Sequence, residues 1–592
     1  MQGKRLAFLL LGALALGALT PAQEAALAQE PQPAATEAAT PDPRFGLVES
    51  YVNSAAASEA GAGYTRIILR WDIIQPAGPD DWKPANVPDP FVEAELAAGR
   101  EIVAVIIGTP AWARDPDHPA NAADVISPKD VPDMTHWGRF TQRLARHYQG
   151  RIRHWVIWNE PDVWDPAHPG STWNGSEEDY FRLLKTAYLS IKAVDPTLQV
   201  YLTGLTYFWD WEYDREQYLA RLLPIIAADP EAEANNFYFD GVVYHLYYKP
   251  EQIFNVLADI RGILDVYRLA GKPIWLNETN APPSNDPQEP PHYEPRFRVS
   301  QEEQSAFIIQ VYALAFAGGA ERVEVYKLRN SADHPEDVQP FGLLRGDDSR
   351  RPAFDAYRVV TTHLAGFRDV DWFRQGDVYV VTFDRGDKTT TVLWNVGRAP
   401  QRFTINAIAE QGLLVDETGA EEPIIPRNGV YTVELPGATC FHGDCFIGGA
   451  PRLIVEAGSP DQRPSLLPLA SPTPTLTPLP TASPTPSPTL TPSPTLAAGD
   501  EASGAAGAPV TAASTPQPTP APERVALAQP TAVPPATPDR PRAPIRPTPV
   551  PTPPPITFGT VMTPQRSLTL FILGLVLFTV IYALQFAVWR RL

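Results

Sequence analysis

Short apolar runs and amphipathic stretches alternate along residues 44–328. Eight runs are rich in β-branched and aromatic side chains, and most are separated by stretches with the 3.6-residue apolar period of a helix. The predicted strands are 44–50, 65–71, 101–108, 154–160, 199–205, 241–247, 273–279 and 322–328. Eight strand–helix units predict the α/β class and a closed (β/α)8 barrel, or TIM barrel, over residues 42–365. An open doubly wound sheet is disfavoured, because no glycine-rich turn follows the first strand.

Residues 366–458 show a different pattern, in which short alternating runs are separated by turn residues. The runs are 378–384, 389–394, 401–406, 429–435 and 451–456, and they predict a small antiparallel β-sandwich. We expect this domain to support the barrel, because Trp394 is its one clear tryptophan after Trp372, although a ligand-binding role stays open. Cys440 and Cys445, the only two cysteines, lie in it and are predicted to form a disulfide outside the cell.

The two ends of the chain predict where in or on the cell the protein is located. Residues 1–28 combine basic residues, an apolar run too short to span a bilayer, and a small-residue cleavage site, which together predict a secretory signal peptide. A disordered segment, 29–41, follows it. Residues 567–589 form an apolar stretch before a basic tail, 590–592, and predict one transmembrane helix. We therefore expect a membrane-anchored protein at the cell surface, with its folded domains extracellular.

The composition predicts a proline-rich spacer and argues against one class of partner. Of 67 prolines, 29 lie between 464 and 564, so residues 459–566 are predicted to be a disordered, extended stalk rich in proline, threonine and serine. The net charge of −20 argues against a nucleic-acid partner, because such binding depends on Lys and Arg neutralising phosphates. We expect the folded body to be monomeric.

Two carboxylates stand where a barrel places its chemistry, at the carboxyl ends of strands. Glu160 ends the fourth predicted strand and Glu278 lies at the end of the seventh. A single acid at such a position is most often a solvated loop residue. A pair on strands four and seven can converge across the barrel mouth, and glycoside hydrolysis needs paired carboxylates.

The motifs around these acids resemble clan A of the glycoside hydrolases, with families 39 and 5 as the nearest types. The matching segments are Trp158-Asn159-Glu160-Pro161, Glu278, Tyr244-His245-Leu246-Tyr247, Arg70-Trp71, Gln75-Pro76, Thr109-Pro110-Ala111-Trp112-Ala113 and the run from Phe341 to Phe354. The resemblance covers about residues 44–365. It implies a carbohydrate substrate and a retaining mechanism, with Glu160 as general acid/base and Glu278 as nucleophile.

The resemblance also implies roles for neighbouring side chains. Asn159 would bind the sugar 2-hydroxyl, Tyr247 or Tyr244 would hydrogen-bond Glu278, and Arg70 would lower the pKa of Glu278. His245 is expected to line the sugar subsite, with a core histidine as the alternative. Trp112 lies in a loop from which it can stack on a sugar. The clan often has a tryptophan after strand eight; here Tyr326 is expected to replace it, and Lys327 would instead meet an acidic sugar.

The sequence predicts neither a cofactor nor a catalytic metal, since its ten histidines show no metal-ligand spacing. The alternative to an enzyme is a non-catalytic surface protein that binds carbohydrate on a glycosidase-like barrel. The presence of both Glu160 and Glu278, with Asn159 beside the acid, favours the enzyme. Transglycosylation uses the same covalent intermediate and stays open.

Overall fold

The structure is a computed structural model that describes residues 40–121, 125–291, 296–331, 340–443 and 445–462. The predicted signal peptide, transmembrane helix and cytoplasmic tail lie outside the described residues, as do nearly all of the predicted N-terminal segment and stalk. No helix within the described ranges is both long enough and apolar enough to cross a membrane.

The first part of the described chain is the predicted (β/α)8 barrel. Eight parallel strands close in the order β1 to β8, with β8 pairing back to β1. The strands are β1 Phe45–Leu47, β2 Tyr64–Arg70, β3 Glu101–Ile107, β4 His154–Ile157, β5 Gln199–Leu205, β6 Gly241–His245, β7 Ile274–Thr279 and β8 Arg322–Val325. The fourth and eighth strands end earlier than predicted, so Glu160 and Tyr326 lie just beyond their strands.

Helices follow the strands and cover the outside of the barrel. They are α1 Ser54–Glu59, α2 Trp71–Ile74, α3 Asp89–Ala97, α4 Met134–His147, α5 Glu177–Lys192, α6 Phe208–Glu212, α7 Tyr218–Ala227, α8 Pro250–Val266, α9 Gln301–Ala317 and α10 Pro352–His363. Ser176 and Ser300 begin α5 and α9 with capping boxes, in which serine and the third helical residue satisfy each other's backbone N–H groups.

Alternation along the strands fills the barrel with large side chains. An interior cluster consists of Tyr64, Val103, Val105, Val156, Tyr201, Val243 and Trp275. Within it, the rings of Tyr201 and Trp275 lie 4.1 Å apart. Strand residues two apart share a face. On each strand, the inward-facing positions that follow this cluster therefore lie closer to the barrel mouth at the carboxyl ends of the strands.

The second domain consists of antiparallel strands. One sheet has the order β14-β13-β16-β11-β10-β9 and the other pairs β12 with β15. The strands are β9 Asp369–Gln375, β10 Val378–Asp384, β11 Lys388–Asn395, β12 Gln401–Asn406, β13 Gly412–Val415, β14 Glu421–Ile424, β15 Val430–Leu435 and β16 Arg452–Ala457. Residues of both sheets, among them Val380 and Phe403, enclose a common core.

Three of these strands are absent from the sequence-based prediction, namely β9, β13 and β14. Strands β9 and β14 are the two edges of the larger sheet, and each carries two acidic residues. Charged edge strands are common, because they prevent pairing with other chains. Their weak apolar alternation explains why the pattern missed them.

The two domains share one continuous hydrophobic core. Phe316 of α9 contacts Phe367 and Phe383, with ring centroids 4.8 Å and 6.5 Å away. The buried amide of Gln310 donates to the carbonyl of Gly449 and accepts from the N–H of Gly448, both at 3.1 Å. Cys440 and Cys445 form a disulfide in the second domain.

Candidate active site

An irregularity in β7 directs Glu278 into the barrel. Tyr244 of β6 pairs with Leu276, but the next residue, His245, pairs with Glu278, so Asn277 is an extra residue on β7. Such a bulge turns the following side chain toward the other face, and bulges are common beside active sites. Glu278 and His245 therefore lie side by side at the carboxyl ends of their strands.

Glu160 is positioned by an unusual backbone after β4. Trp158 and Glu160 have φ values of 72° and 46°, in the left-handed region that residues other than glycine rarely adopt. The N–H of Glu160 donates to the carbonyl of Gly204 on β5 at 2.9 Å, and the Thr172 hydroxyl donates to the carbonyl of Asn159. Backbone strain of this kind is held where the surroundings fix the chain, and it concentrates at functional sites.

The two predicted carboxylates meet at His245. Nδ1 of His245 is hydrogen-bonded to Oε1 of Glu160 at 2.6 Å and lies 3.4 Å from Oε2 of Glu278. One carboxylate oxygen of each glutamate and this nitrogen all lie within 4.8 Å of one another. His245 is buried, while the side chain of Glu160 is 20% exposed. The site thus joins two acids through one titratable ring.

Glu278 is an ion-paired, hydrogen-bonded carboxylate. The Arg66 guanidinium pairs with its Oε1, and the Tyr247 hydroxyl donates to its Oε2 at 2.6 Å. Burial alone would raise the pKa of Glu278, but the charges of Arg66 and His245 and the Tyr247 hydrogen bond together hold it below its ordinary value. Glu278 is therefore ionised at neutral pH.

The prediction that Arg70 lowers the pKa of Glu278 is wrong, because Arg66 occupies that position. The two arginines share a face of β2, but Arg70 stands four residues, about 13 Å, further along the strand. Its side chain is about half exposed and pairs with Asp72. Arg66 is buried at the depth of Glu278, and this charge pair raises its pKa above the ordinary arginine value.

His245 bridges the acids, which goes beyond the subsite lining predicted from the sequence. Burial opposes its protonation, but the charge of Glu278 and the hydrogen bond to Glu160 outweigh burial and raise the pKa of His245. A Cβ at Gly204 would overlap the imidazole ring, so the ring's position depends on glycine there.

Of the two tyrosines considered for Glu278, Tyr247 makes the contact and Tyr244 does not. Tyr244 faces the hydrophobic core, and its hydroxyl has no hydrogen-bond partner among the described residues. Trp112 packs edge-on against Trp71 at 5.8 Å, and its indole N–H donates to the carbonyl of Gln75 at 2.6 Å. Its ring is partly buried against the core.

The residues after β8 divide into two environments. The Tyr326 ring packs edge-on against Phe341 at 5.3 Å, and Phe341 also contacts Tyr247 at 5.5 Å. The Phe341 ring therefore contacts both Tyr326 and Tyr247, the tyrosine that hydrogen-bonds Glu278. Lys327 is buried, and its Nζ lies 3.6 Å from a carboxylate oxygen of Glu49. Asn159 is partly buried beside Glu160.

Sequence reasoning missed a third acid, Glu324 of β8. It is fully buried, neither of its oxygens has a hydrogen-bond partner within the described part of the chain, and burial raises its pKa well above the ordinary value. The Arg66 charge acts on both Glu324 and Glu278. Burial thus favours the uncharged form of Glu324, and the Arg66 guanidinium forms its ion pair with Glu278. The alternation that places Glu324 inside the barrel was the available signal.

Glu160, His245 and Glu278 are also the kinds of ligand that transition metals bind. However, Arg66 already pairs with Glu278, and its positive charge opposes a second cation at the same carboxylate. The donor set suits acid/base chemistry better than metal binding.

The comparisons with known proteins agree with this barrel. No family model matches the chain. Over 84 residues the chain is 39% identical to a β-xylosidase from Caldicellulosiruptor saccharolyticus, a match that covers 13% of this chain and 16% of that protein, well short of two thirds of its length.

Solved structures share the fold over most of the chain. A family 39 glycoside hydrolase from the gut symbiont Bacteroides cellulosilyticus WH2 is 18% identical, with a TM-score of 0.51, covering 70% of this chain and 81% of that one. A monomeric β-xylosidase from Caulobacter crescentus CB15 is 14% identical, with a TM-score of 0.48, covering 71% and 97%. The family 39 structure confirms, at the level of the fold, the resemblance to clan A.

Proposed function

We propose that this protein is a retaining glycoside hydrolase that cleaves β-linked O-glycosidic bonds through a covalent glycosyl-enzyme intermediate. The observation that carries the proposal is the convergence of Glu160 and Glu278 within 4.8 Å, with Arg66 paired to only one of them. Retaining enzymes hold their carboxyl groups about 5–5.5 Å apart, whereas inverting enzymes need about 6.5–9.5 Å to admit water.

In the first step, Glu278 attacks the anomeric carbon and forms an ester bond to it. The glycosidic C–O bond breaks, and Glu160 gives its proton to the leaving oxygen. In the second step, Glu160 takes a proton from water, whose oxygen attacks the same carbon and releases Glu278. Asn159, beside Glu160, is placed to bind the sugar 2-hydroxyl, as the resemblance implies.

The contacts of His245 link the two acids during this exchange of protons. His245 touches both carboxylates and keeps them in one hydrogen-bonded set.

We propose β-xylosides as the first substrates to test, because the relative that matches over 84 residues is a β-xylosidase. The full-length chain should be screened on 4-nitrophenyl β-D-xyloside and on the aryl β-glucoside, β-galactoside and α-arabinofuranoside. Turnover of at least one is expected.

The role of Glu278 is tested by Glu278→Gln, which should lower kcat roughly 10³-fold or more on whichever glycoside is cleaved. Glu160→Gln should spare the first step when the leaving group is a nitrophenol, which needs no protonation, and give a burst followed by slow turnover. Glu178→Gln, at an exposed position of α5, is the matched control. Parent-like activity of Glu278→Gln would refute the mechanism. Sugar binding without turnover by the parent would favour the non-catalytic alternative.

We also propose that the protein acts outside the cell, anchored through residues 567–589 and spaced by the 459–566 stalk. The signal-like segment 1–28 and the Cys440–Cys445 disulfide, a bond typical of oxidising compartments, support this location. Protease added to intact cells should release the barrel, and its activity should appear in the supernatant. Protection until the cells are lysed would contradict it.

A further inference from the structure

One segment of the second domain lies against α9 and reaches the active-site end of the barrel. We call this segment, residues 439–443 and 445–449, the strap. The N–H of Phe441 donates to Oε1 of Glu303, in the first turn of α9, at 2.9 Å. Gln310, two turns further along the helix, binds the backbone at the other end of the strap. Because α9 follows β7, its first turn lies on the side of the barrel where the strands end.

The strap places the ring of Phe446 against two residues of the barrel. Phe446 packs edge-on against Phe297, with the ring centroids 4.9 Å apart. The ammonium group of Lys249 lies 4.9 Å from the Phe446 centroid and 5.1 Å from the Phe297 centroid. A cation within about 6 Å of an aromatic centroid is attracted to the ring. One ring from each domain therefore holds the Lys249 side chain.

Lys249 follows Tyr247, the tyrosine that hydrogen-bonds Glu278, by two residues. Its backbone N–H donates to the carbonyl of Tyr247 at 2.9 Å, and Tyr248 between them has a φ of 68°. A three-residue turn closed at positive φ is rare and strained, so contacts from outside must hold it. Phe297 supplies one, because its ring lies 5.1 Å from the Tyr248 ring. The orientation of Tyr247 thus depends on residues that the strap supports.

We propose that Phe446 of the second domain is a positioning residue for the active site, which keeps the Tyr247 hydroxyl against Glu278. Lys249 and Phe297 carry the contact from the strap to the turn after β6. The inference rests on the proposed function, in which Glu278 is the nucleophile. It gives the second domain a part in the reaction in addition to its packing against the barrel.

The expected effect of losing this support follows from the Tyr247 hydrogen bond. The hydroxyl donates to the carboxylate of Glu278 and favours its ionised form, so weakening the bond raises the pKa of Glu278. The other charged or titratable groups around Glu278 are Arg66, Glu160, His245 and Glu324. Among all these groups, Tyr247 is the one whose carbonyl accepts the Lys249 N–H.

The test is the pH profile of kcat/KM for the aryl glycoside that the full-length chain cleaves. Phe446→Ala should lower kcat roughly tenfold, leave KM within about twofold, and move the acid limb upward by roughly 0.5–1 pH unit. Phe446→Tyr keeps the ring and should restore the parent profile. Phe441→Ala is the matched control, because the Phe441 ring belongs to the same strap but packs on His442.

A second set of variants shows whether Tyr247 carries the effect. Tyr247→Phe should itself move the acid limb upward, and Phe446→Ala should add no further shift in that background. Lys249→Ala should act in the same direction as Phe446→Ala, and it decides the question if Phe446→Ala does not fold. An unchanged acid limb in the folded variant, or an equal shift from Phe446→Ala with and without the Tyr247 hydroxyl, would overturn the inference.

If the parent cleaves no glycoside, the proposed function fails and the inference is judged by the titration of Glu278 alone. ¹³C NMR of the full-length protein, labelled at its glutamate carboxyl carbons, follows this titration, and the signal is assigned by its loss in Glu278→Gln. An upward shift of the Glu278 midpoint in Phe446→Ala supports the positioning role. A midpoint equal to that of the parent overturns it.

Discussion

Arg66 helps to keep Glu278 ionised, although Arg66 lies in none of the motifs at the strand ends. Its guanidinium pairs with Glu278, while burial raises the pKa of the neighbouring Glu324 and so disfavours a competing negative charge there. Strand periodicity correctly places Arg66 and Arg70 on one face of β2. It does not give their depth in the barrel, which depends on the stagger between strands. The sequence therefore reveals the acids at strand ends but leaves open which arginine accompanies them.

Replacing Arg66 should shift the pH dependence of the reaction. Because Arg66 stabilises the ionised carboxylate, Arg66→Met should raise the pKa of Glu278 and move the acid limb of kcat/KM upward by roughly 1–3 pH units. The measurement is a pH profile of kcat/KM on the aryl glycoside that is cleaved. Arg66→Lys retains the charge and should keep most of the parent profile. An unchanged acid limb in a folded Arg66→Met protein would show that Arg66 does not hold Glu278 ionised.

At the scale of elements, the site depends on where three strands deviate from regular geometry. The bulge at Asn277 turns Glu278 inward, the left-handed residues after β4 place Glu160, and Gly204 of β5 leaves room for His245. Short runs of β-branched and aromatic residues predicted all eight barrel strands, because buried strands are rich in such side chains. This pattern could not predict the bulge, since an extra residue leaves no mark on a continuous apolar run.

Gly204→Ala should damage the site while leaving the fold intact. The added Cβ would overlap the His245 ring, displace it from Glu160, and reduce kcat/KM roughly 100-fold. Gly262→Ala is the control, because Gly262 is an exposed residue of α8 with no atom near the added Cβ, and it should stabilise the protein by about 1 kcal/mol. Both variants are assayed for activity and thermal unfolding. Full activity of a folded Gly204→Ala protein would rule out the positioning role of His245.

At the scale of the whole molecule, the second domain packs against the barrel and extends its hydrophobic core. Phe367 and Phe383 pack on α9, and Thr439 donates to Glu303 of the same helix at 2.9 Å. The sequence pattern predicted an antiparallel β-domain after the barrel, and the structure has antiparallel strands there. It could not show that the barrel and this domain share a core, because neither pattern says which helix the second domain covers.

Unfolding should therefore be cooperative across both domains. Calorimetry of the full-length chain should show one main transition, and Gln310→Ala should destabilise it by about 2 kcal/mol, since Gly448 and Gly449 lose their buried partner. Gln401→Ala, on the exposed face of β12, should stay within about 0.5 kcal/mol of the parent. Two well-separated transitions, only one of which responds to Gln310→Ala, would show that the domains unfold independently.

The stereochemistry of the product tests the central proposal most directly. ¹H NMR can follow the anomeric proton released first when the full-length chain cleaves its best aryl β-glycoside. The geometry around Glu160 and Glu278 predicts that the β-anomer forms first and only then equilibrates with the α-anomer, because two displacements restore the original configuration. Initial release of the α-anomer would contradict the double displacement and the nucleophilic role of Glu278.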